Sequence, residues 1–211
     1  MDDPRDMHRR AGDLAAKVIS QITRAQLGLP TPCTDWDVKD VIAHIVTGQR
    51  RFAAKLSGEL EPDEGGDVIG DHPAADFRAS LAALNGVFDQ PGFLDRTIPT
   101  PFGEGPAAQF ISIRTAELTL HAWDLAAATA QSRVFDHEVV AFASAAMHTR
   151  PIPRSLTGPF APEQALRGGI LTDADLLAAF AGRKIPEPSQ AWHLPEENKA
   201  TPETGVSEPL R

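Results

Sequence analysis

RTAELTLHAWDLAAATA, Arg114 to Ala130, decides how this chain folds. Leucine and alanine recur along it at helical spacing, yet Glu117 and His121 stand four residues apart among them. With about 100° per residue and Glu117 at the origin, His121 falls at about 40°, Asp124 at about −20° and Arg114 at about 60°. Leu118 and Leu125 lie at about 80–100° on one side, Ile113 and Leu120 at about −40 to −60° on the other. The polar stripe therefore runs inside the apolar face. If that face packs inward, Glu117 and His121 are buried or line a cavity, and a buried carboxylate is costly unless it is paired or binds a metal.

Spacing alone carries little. With 29 acidic residues and 7 histidines in 211, chance supplies about one acid four positions before a histidine, the spacing of neighbours on a helix. The chain has two such pairs, Glu117/His121 and Asp40/His44. The placement of Glu117 and His121 between leucines is the informative part.

His44 is the natural third member. On its own helix Val41, Ile45 and Phe52 form an apolar strip, and His44 sits about 60° from Val41, at the strip's edge. An ordinary packed histidine has the same signature, but a carboxylate and a histidine on another helix lack a partner. Two histidines and one carboxylate would give three ligands with open positions, the pattern of catalytic metal sites. His8, His72, His137, His148 and His193 fall in terminal, loop or weakly patterned segments and stay outside this set.

The rest of the chain supports a helical reading. The amphipathic stretch Asp6 to Arg24 carries Leu14, Ala15, Val18, Ile19 and Ile22 on one stripe. Two prolines in LGLPTPC break it. Thr34 then opens the next helix, with Thr34-x-x-Asp37 in a capping-box pattern before VKDVIAHIVTGQRRFAAKL. Glu59 to Pro73 is acidic, Gly-rich and aperiodic, hence a surface loop. Further helices are predicted at about Ala75 to Asp89, about Ala107 to Thr129 and DHEVVAFASAAMH, with RTIPTPFGEGP as a short hairpin-like connection before the second of these. A last short helix, DADLLAAFAGR, is capped by Thr172 and stopped by Gly182. The expected fold is all-α: an up-down four-helix bundle with a short helical C-terminal addition. It would occupy residues 1–185, with a disordered tail at 186–211 rich in Pro, Glu, Thr and Ser.

A net charge of −9 argues against nucleic acid as partner, since phosphate binding needs a concentrated basic face. No run approaches 18 apolar residues and MDDPRDMHRRAGD has no apolar signal core, so no membrane partner and a cytoplasmic location are expected. The single cysteine, Cys33, excludes an intrachain disulfide. Cys33 reads as a buried structural residue, Trp36 and Trp123 as core anchors, Asp40 as a surface residue. Asp124 either orients His121 or makes a buried bond to another helix. Arg114 either meets an anionic substrate or pairs with Glu117.

TPCTDWDVKDVIAHIVTGQRRFAA followed downstream by AELTLHAWDLAAATAQ resembles the actinobacterial branch of the DinB-like superfamily. These are metal-binding proteins related to the N-terminal domain of mycothiol-dependent maleylpyruvate isomerase. The resemblance covers roughly Leu14 to Pro186, and the T-P-C-x-x-W and H-x-W-D-L-A blocks together carry it. It implies a DinB-like four-helix bundle that holds a divalent metal, usually Zn2+, through His44, Glu117 and His121. It also implies a low-molecular-weight thiol, mycothiol or another, as cosubstrate, and S-transfer to or isomerisation of a small electrophile. Ni2+, Fe2+ and Mn2+ suit the same ligands. The resemblance does not extend to the isomerases' C-terminal domain, so maleylpyruvate is not the expected substrate. The alternative is a non-catalytic metal-binding or sensing module, and a third reading is a bundle without metal that serves as an interaction protein. A homodimer is compatible with a bundle of this size.

Overall fold

The structure, a computed structural model, describes residues 3–33, 35–60, 69–100, 103–149, 152–155, 160–166 and 171–185. The expected tail at 186–211 and Thr34 lie outside the described residues, as does most of the acidic loop. The described chain is helical, with α1 at Pro4–Ser20, α2 at Val38–Ser57, α3 at Pro73–Phe88, α4 at Ala107–Ala128, α5 at His137–His148 and α6 at Asp173–Phe180. A two-stranded antiparallel hairpin, β1 at Thr97–Thr100 and β2 at Gly103–Pro106, pairs Thr97 with Pro106 and Thr100 with Gly103. It stands where the sequence predicts a hairpin-like connection.

Local chemistry sets the ends of the helices. α1 starts two residues earlier than its periodicity suggests, because Pro4 fits a first turn that needs no N–H and Asp3 accepts from the Arg5 amide. α2 starts later than expected. Its cap is Asp37, which accepts from the Asp40 amide at 2.8 Å while Asp40 accepts from the Asp37 amide at 3.1 Å. Asp35, with φ 68°, takes a left-handed conformation that a helix begun at Thr34 would forbid. Gly58 ends α2 at φ 75°. α6 is capped by Thr172 in a reciprocal box with Asp175, as the sequence indicates.

Four helices close a ring in which α1 packs on α3 and α4, and α2 packs on α3 and α4. Contacts fix their directions. His8 meets Asn85 at 2.8 Å and Gly12 lies against Leu81, so α1 and α3 are antiparallel. His44 meets Glu117 and Gly48 lies against Arg114, so α2 and α4 are antiparallel too. Ala53 and Leu56 share a cluster with Leu84, Val87 and Phe88, and Ser80 donates to Gln49, so α2 and α3 run the same way instead of alternating as in the expected up-down order, and Gly58 and His72 lie at opposite ends of the bundle. A fifteen-residue connection reaches easily past a helix of roughly 30 Å.

α4 is the axis of the fold. Of its 22 residues 17 are buried. Leu118, Ala122, Leu125 and Ala126 pack into the cluster with α1 and α2, and Phe110 and Ile111 into the cluster near the hairpin. Leu120, Trp123 and Ala127 pack against α5 and α6. Among the described residues no helix is long and apolar enough to cross a membrane.

The chain after α6 turns back through Gly182, at φ 89°. A Cβ there would lie 2.5 Å from the Ala161 carbonyl oxygen, so only glycine fits without movement. Gly182→Ala is expected to lower stability by about 1–3 kcal/mol, read as an earlier urea midpoint with unchanged slope.

Candidate functional site

Where α2 and α4 run side by side, His44 Nε2 lies 3.2 Å from Glu117 Oε1. One turn along, His121 turns its ring edge-on to that of His44, with centroids 5.2 Å apart. One ligand atom from each of His44, Glu117 and His121 lies within 4.8 Å of the other two. The three residues singled out from the sequence are thus brought together by two helices. His44 is the exposed rim of the group, Glu117 is half-buried and His121 is buried.

Each of these side chains is held by another. His121 Nδ1 faces Asp124 Oδ2 at 3.0 Å. A ring nitrogen donating to a carboxylate fixes the tautomer and leaves Nε2 with its lone pair. Asp124 is fully buried, and Arg183 binds it twice, Nε to Oδ1 at 3.0 Å and Nη2 to Oδ2 at 3.2 Å. Burial alone would raise the Asp124 carboxyl, but the His121 bond and the Arg183 charge outweigh it and hold Asp124 ionised. Both alternatives left open for Asp124 therefore apply at once: it orients His121 and bonds to another part of the chain.

Arg114, one turn before Glu117, donates from Nη1 to Glu117 Oε2 and lies over the Phe52 ring at 4.7 Å. Of the two roles open to it, pairing with Glu117 is the one seen. Gly48 lets it sit there, since a Cβ on Gly48 would stand 3.3 Å from Arg114 Nη2. Burial pushes the Glu117 carboxyl up, but the Arg114 charge and the bond from His44 more than offset this, and its pKa falls to about 2 from 4.5. A carboxyl depressed on folding contributes stability above its unfolded pKa, and that contribution is lost as pH falls through the folded value. Thermal stability should therefore drop between about pH 5 and 2, and the drop should be shallower in Glu117→Gln, measured as melting temperature against pH.

Two sequence assignments are extended. Trp36 is half-buried and packs against the core cluster shared by α1, α2 and α4, as expected of an anchor. It also packs its ring on His44 with centroids 4.7 Å apart and on His121 at 6.2 Å and so covers the site, while Trp123 is the fully buried anchor expected. Cys33, expected as a buried structural residue, is half-buried and stands beside the site, its Sγ 3.7 Å from Arg183 Nη2. Burial, then the nearby Asp124 charge, raise its thiol to about 11 against the opposing pull of Arg183. Cys33, His121 and Asp124 form a second set whose ligand atoms lie within 4.8 Å of one another. Trp36 and Cys33 reach α4 because the segment before α2 folds back, with the Thr31 amide bonded to the Trp36 carbonyl and the Val38 amide to the Leu29 carbonyl. No periodicity signals such a contact.

Sequence reasoning missed Arg183, which lies at the end of a short helix about sixty positions from Asp124, and no local pattern links them. Asp40 is exposed, as expected. His8 is buried between α1 and α3, bonded to Asn85 and edge-on to Phe88. It lies outside the trio, and burial lowers its pKa to about 4.

Comparison with known proteins adds to this geometry. Residues 8–126 match the family described as the mycothiol maleylpyruvate isomerase N-terminal domain. The chain is 36% identical over 185 residues to two Mycobacterium tuberculosis proteins described as uncharacterized, Rv0738 of strain H37Rv and MT0763 of strain CDC 1551. The match covers 87% of this chain and 99% of each of those. Among solved structures, mycothiol-dependent maleylpyruvate isomerase and a point mutant of it match with a TM-score of 0.53 at 15% identity. That match covers 66% of this chain and 65% of the isomerase, so this chain spans somewhat under two thirds of the enzyme's length. The likeness is one of fold. With a family match over more than half its length, the chain belongs to the mycothiol maleylpyruvate isomerase N-terminal domain family.

Proposed function

We propose that this protein binds a divalent metal through His44, Glu117 and His121 and works on a small electrophile with a low-molecular-weight thiol, mycothiol first among them. The observation that carries the reading is the convergence of two imidazoles and one carboxylate from α2 and α4 at mutual distances within 4.8 Å. The donor set fits a divalent cation. Two imidazole nitrogens and a carboxylate oxygen suit zinc, nickel, iron or manganese, and His121 has its Nδ1 already engaged by Asp124. Mycothiol enters through the mycothiol-dependent maleylpyruvate isomerase whose fold this chain shares. A cation at such a site favours the thiolate form of a bound thiol, which is the nucleophile.

The chain's own residues supply the rest. Arg114 binds one Glu117 oxygen and leaves Oε1 turned to His44, which keeps the carboxylate ionised and oriented. Asp124 holds the imidazole of His121 in one tautomer. Trp36 covers one side of both histidines and limits water there. His44, at the exposed rim, marks the side from which thiol and electrophile arrive. The reaction class that follows is S-transfer to, or thiol-assisted isomerisation of, a small electrophile.

The test is elemental analysis of purified wild type and His44→Ala, followed by incubation of the metal-loaded protein with mycothiol and a panel of electrophiles, with adducts read by mass spectrometry. Stoichiometric metal in wild type, little in His44→Ala and thiol-dependent turnover are expected. Equal, negligible metal in both would overturn the ligand assignment, and metal without turnover would leave a binding protein and remove the enzymatic reading.

A further inference from the structure

We propose that Arg183 decides which of two overlapping ligand sets takes a cation: its guanidinium fills the Cys33–His121–Asp124 set and leaves the His44–Glu117–His121 set open to metal. The inference rests on the metal-binding role proposed for the second of these.

Both sets use His121 and both have ligand atoms within 4.8 Å of one another. They cannot be used independently. In chemical terms the Cys33 set should be the stronger zinc competitor, since it offers a thiol beside an imidazole and a carboxylate. It is also the more buried, with His121 and Asp124 buried and Cys33 half-buried. What distinguishes it is that a cation already stands there. Arg183 Nη2 is 3.2 Å from Asp124 Oδ2 and 3.7 Å from Cys33 Sγ, while Nε is 3.0 Å from Asp124 Oδ1. This fork satisfies both carboxylate oxygens with a charge that is never lost at accessible pH. A metal entering the set would meet that fixed positive charge and would have to displace the guanidinium from a fully buried carboxylate.

The same contacts commit His121. With Asp124 ionised and held by Arg183, His121 donates to it from Nδ1 and keeps Nε2 for the other set. Arg183 reaches this point because the chain turns at Gly182 and the Arg183 amide is tied to the Ala178 carbonyl at 2.9 Å. The C-terminal addition thus acts as a plug on one side of α4. Arg183 is a positioning residue, since it works through Asp124 and by occupying space.

The test uses Co2+ as the probe on the full metal-free chain, because thiolate ligation gives Co2+ an intense near-ultraviolet charge-transfer band that nitrogen and oxygen ligands do not. Wild type is expected to bind Co2+ without that band. Arg183→Met and Arg183→Gln are expected to gain it and to lose it again when combined with Cys33→Ser, while Arg183→Lys, which keeps the charge, should resemble wild type. A thiolate band in wild type overturns the proposal, as does its absence from both Arg183→Met and Arg183→Gln. Should neither variant fold by circular dichroism, the wild-type spectrum with and without Cys33→Ser decides: a Cys33-dependent band overturns the proposal and its absence supports it. Failure of wild type to bind Co2+ at all refutes the ligand role of His44, Glu117 and His121, and the band in the Arg183 variants still judges the plug on its own.

Discussion

Alanine at position 121 should bring bound metal down to background and abolish thiol-dependent turnover. His121 is the buried member of the trio, so no water or neighbouring side chain easily replaces its nitrogen. Loss of an outer-shell partner alone typically costs about 10–100-fold in metal affinity. Loss of one of three ligands should cost more, about 1,000-fold or beyond, on that scale. Asp124→Asn offers the graded comparison. It keeps the shape but weakens the acceptor for Nδ1, and a fall of about 10–100-fold is expected from it. His137→Ala is the control, because His137 is exposed on α5 and bonded to Asp173 at 2.6 Å, away from the trio. Metal content and affinity by competition with a chromogenic chelator read all three. Unchanged affinity in His121→Ala would remove His121 from the site.

The largest effect on stability should come from Trp123→Ala. Trp123 is fully buried and packs between α4, α5 and α6. Its Nε1 donates to Asp175 Oδ1 at 2.8 Å, and Arg133 Nε donates to the same oxygen at 2.8 Å. Truncating a buried tryptophan leaves a cavity and costs about 3–5 kcal/mol. For a chain of this size each kcal/mol lowers the melting temperature by about 2–4 °C, so a fall of about 6–20 °C is expected in thermal unfolding followed by circular dichroism. Asp175 keeps Arg133 and the Thr172 amide, which limits the added polar cost. Trp36→Ala should behave differently. Trp36 is half-buried against His44, so a smaller thermal shift is expected, together with a change in metal affinity that Trp123→Ala does not share once folded. A Trp36 variant as destabilised as the Trp123 variant would return Trp36 to the core.

The sequence was informative where one segment carried the signal. Glu117 and His121 were legible because helical geometry is local, and the angular position of a residue follows from counting. His44 was legible only as a candidate, since the edge of an apolar strip is common to ligands and to ordinary packed histidines. The cap of α2 lies three residues beyond Thr34, at Asp37, and the sequence does not separate the two because each is an acceptor with an acid three residues beyond it. The left-handed Asp35 settles it, and backbone sign is not written in a side-chain pattern.

What the sequence determined by itself is the set of helices and the polar stripe within α4, because both depend on periodicity over neighbouring residues. Tertiary structure decided three other things. It placed α4 at the axis of the fold, where 17 of its 22 residues are buried and the stripe faces α2. It laid α2 antiparallel against α4, which puts His44 3.2 Å from Glu117. And it brought Arg183 to Asp124 across 59 positions of chain. These are contacts between segments, fixed by how apolar faces pack and by the requirement that a buried charge find its counter-charge. Neither constraint acts on residues close in sequence, which is why the helices could be read along the chain and the surroundings of the site could not.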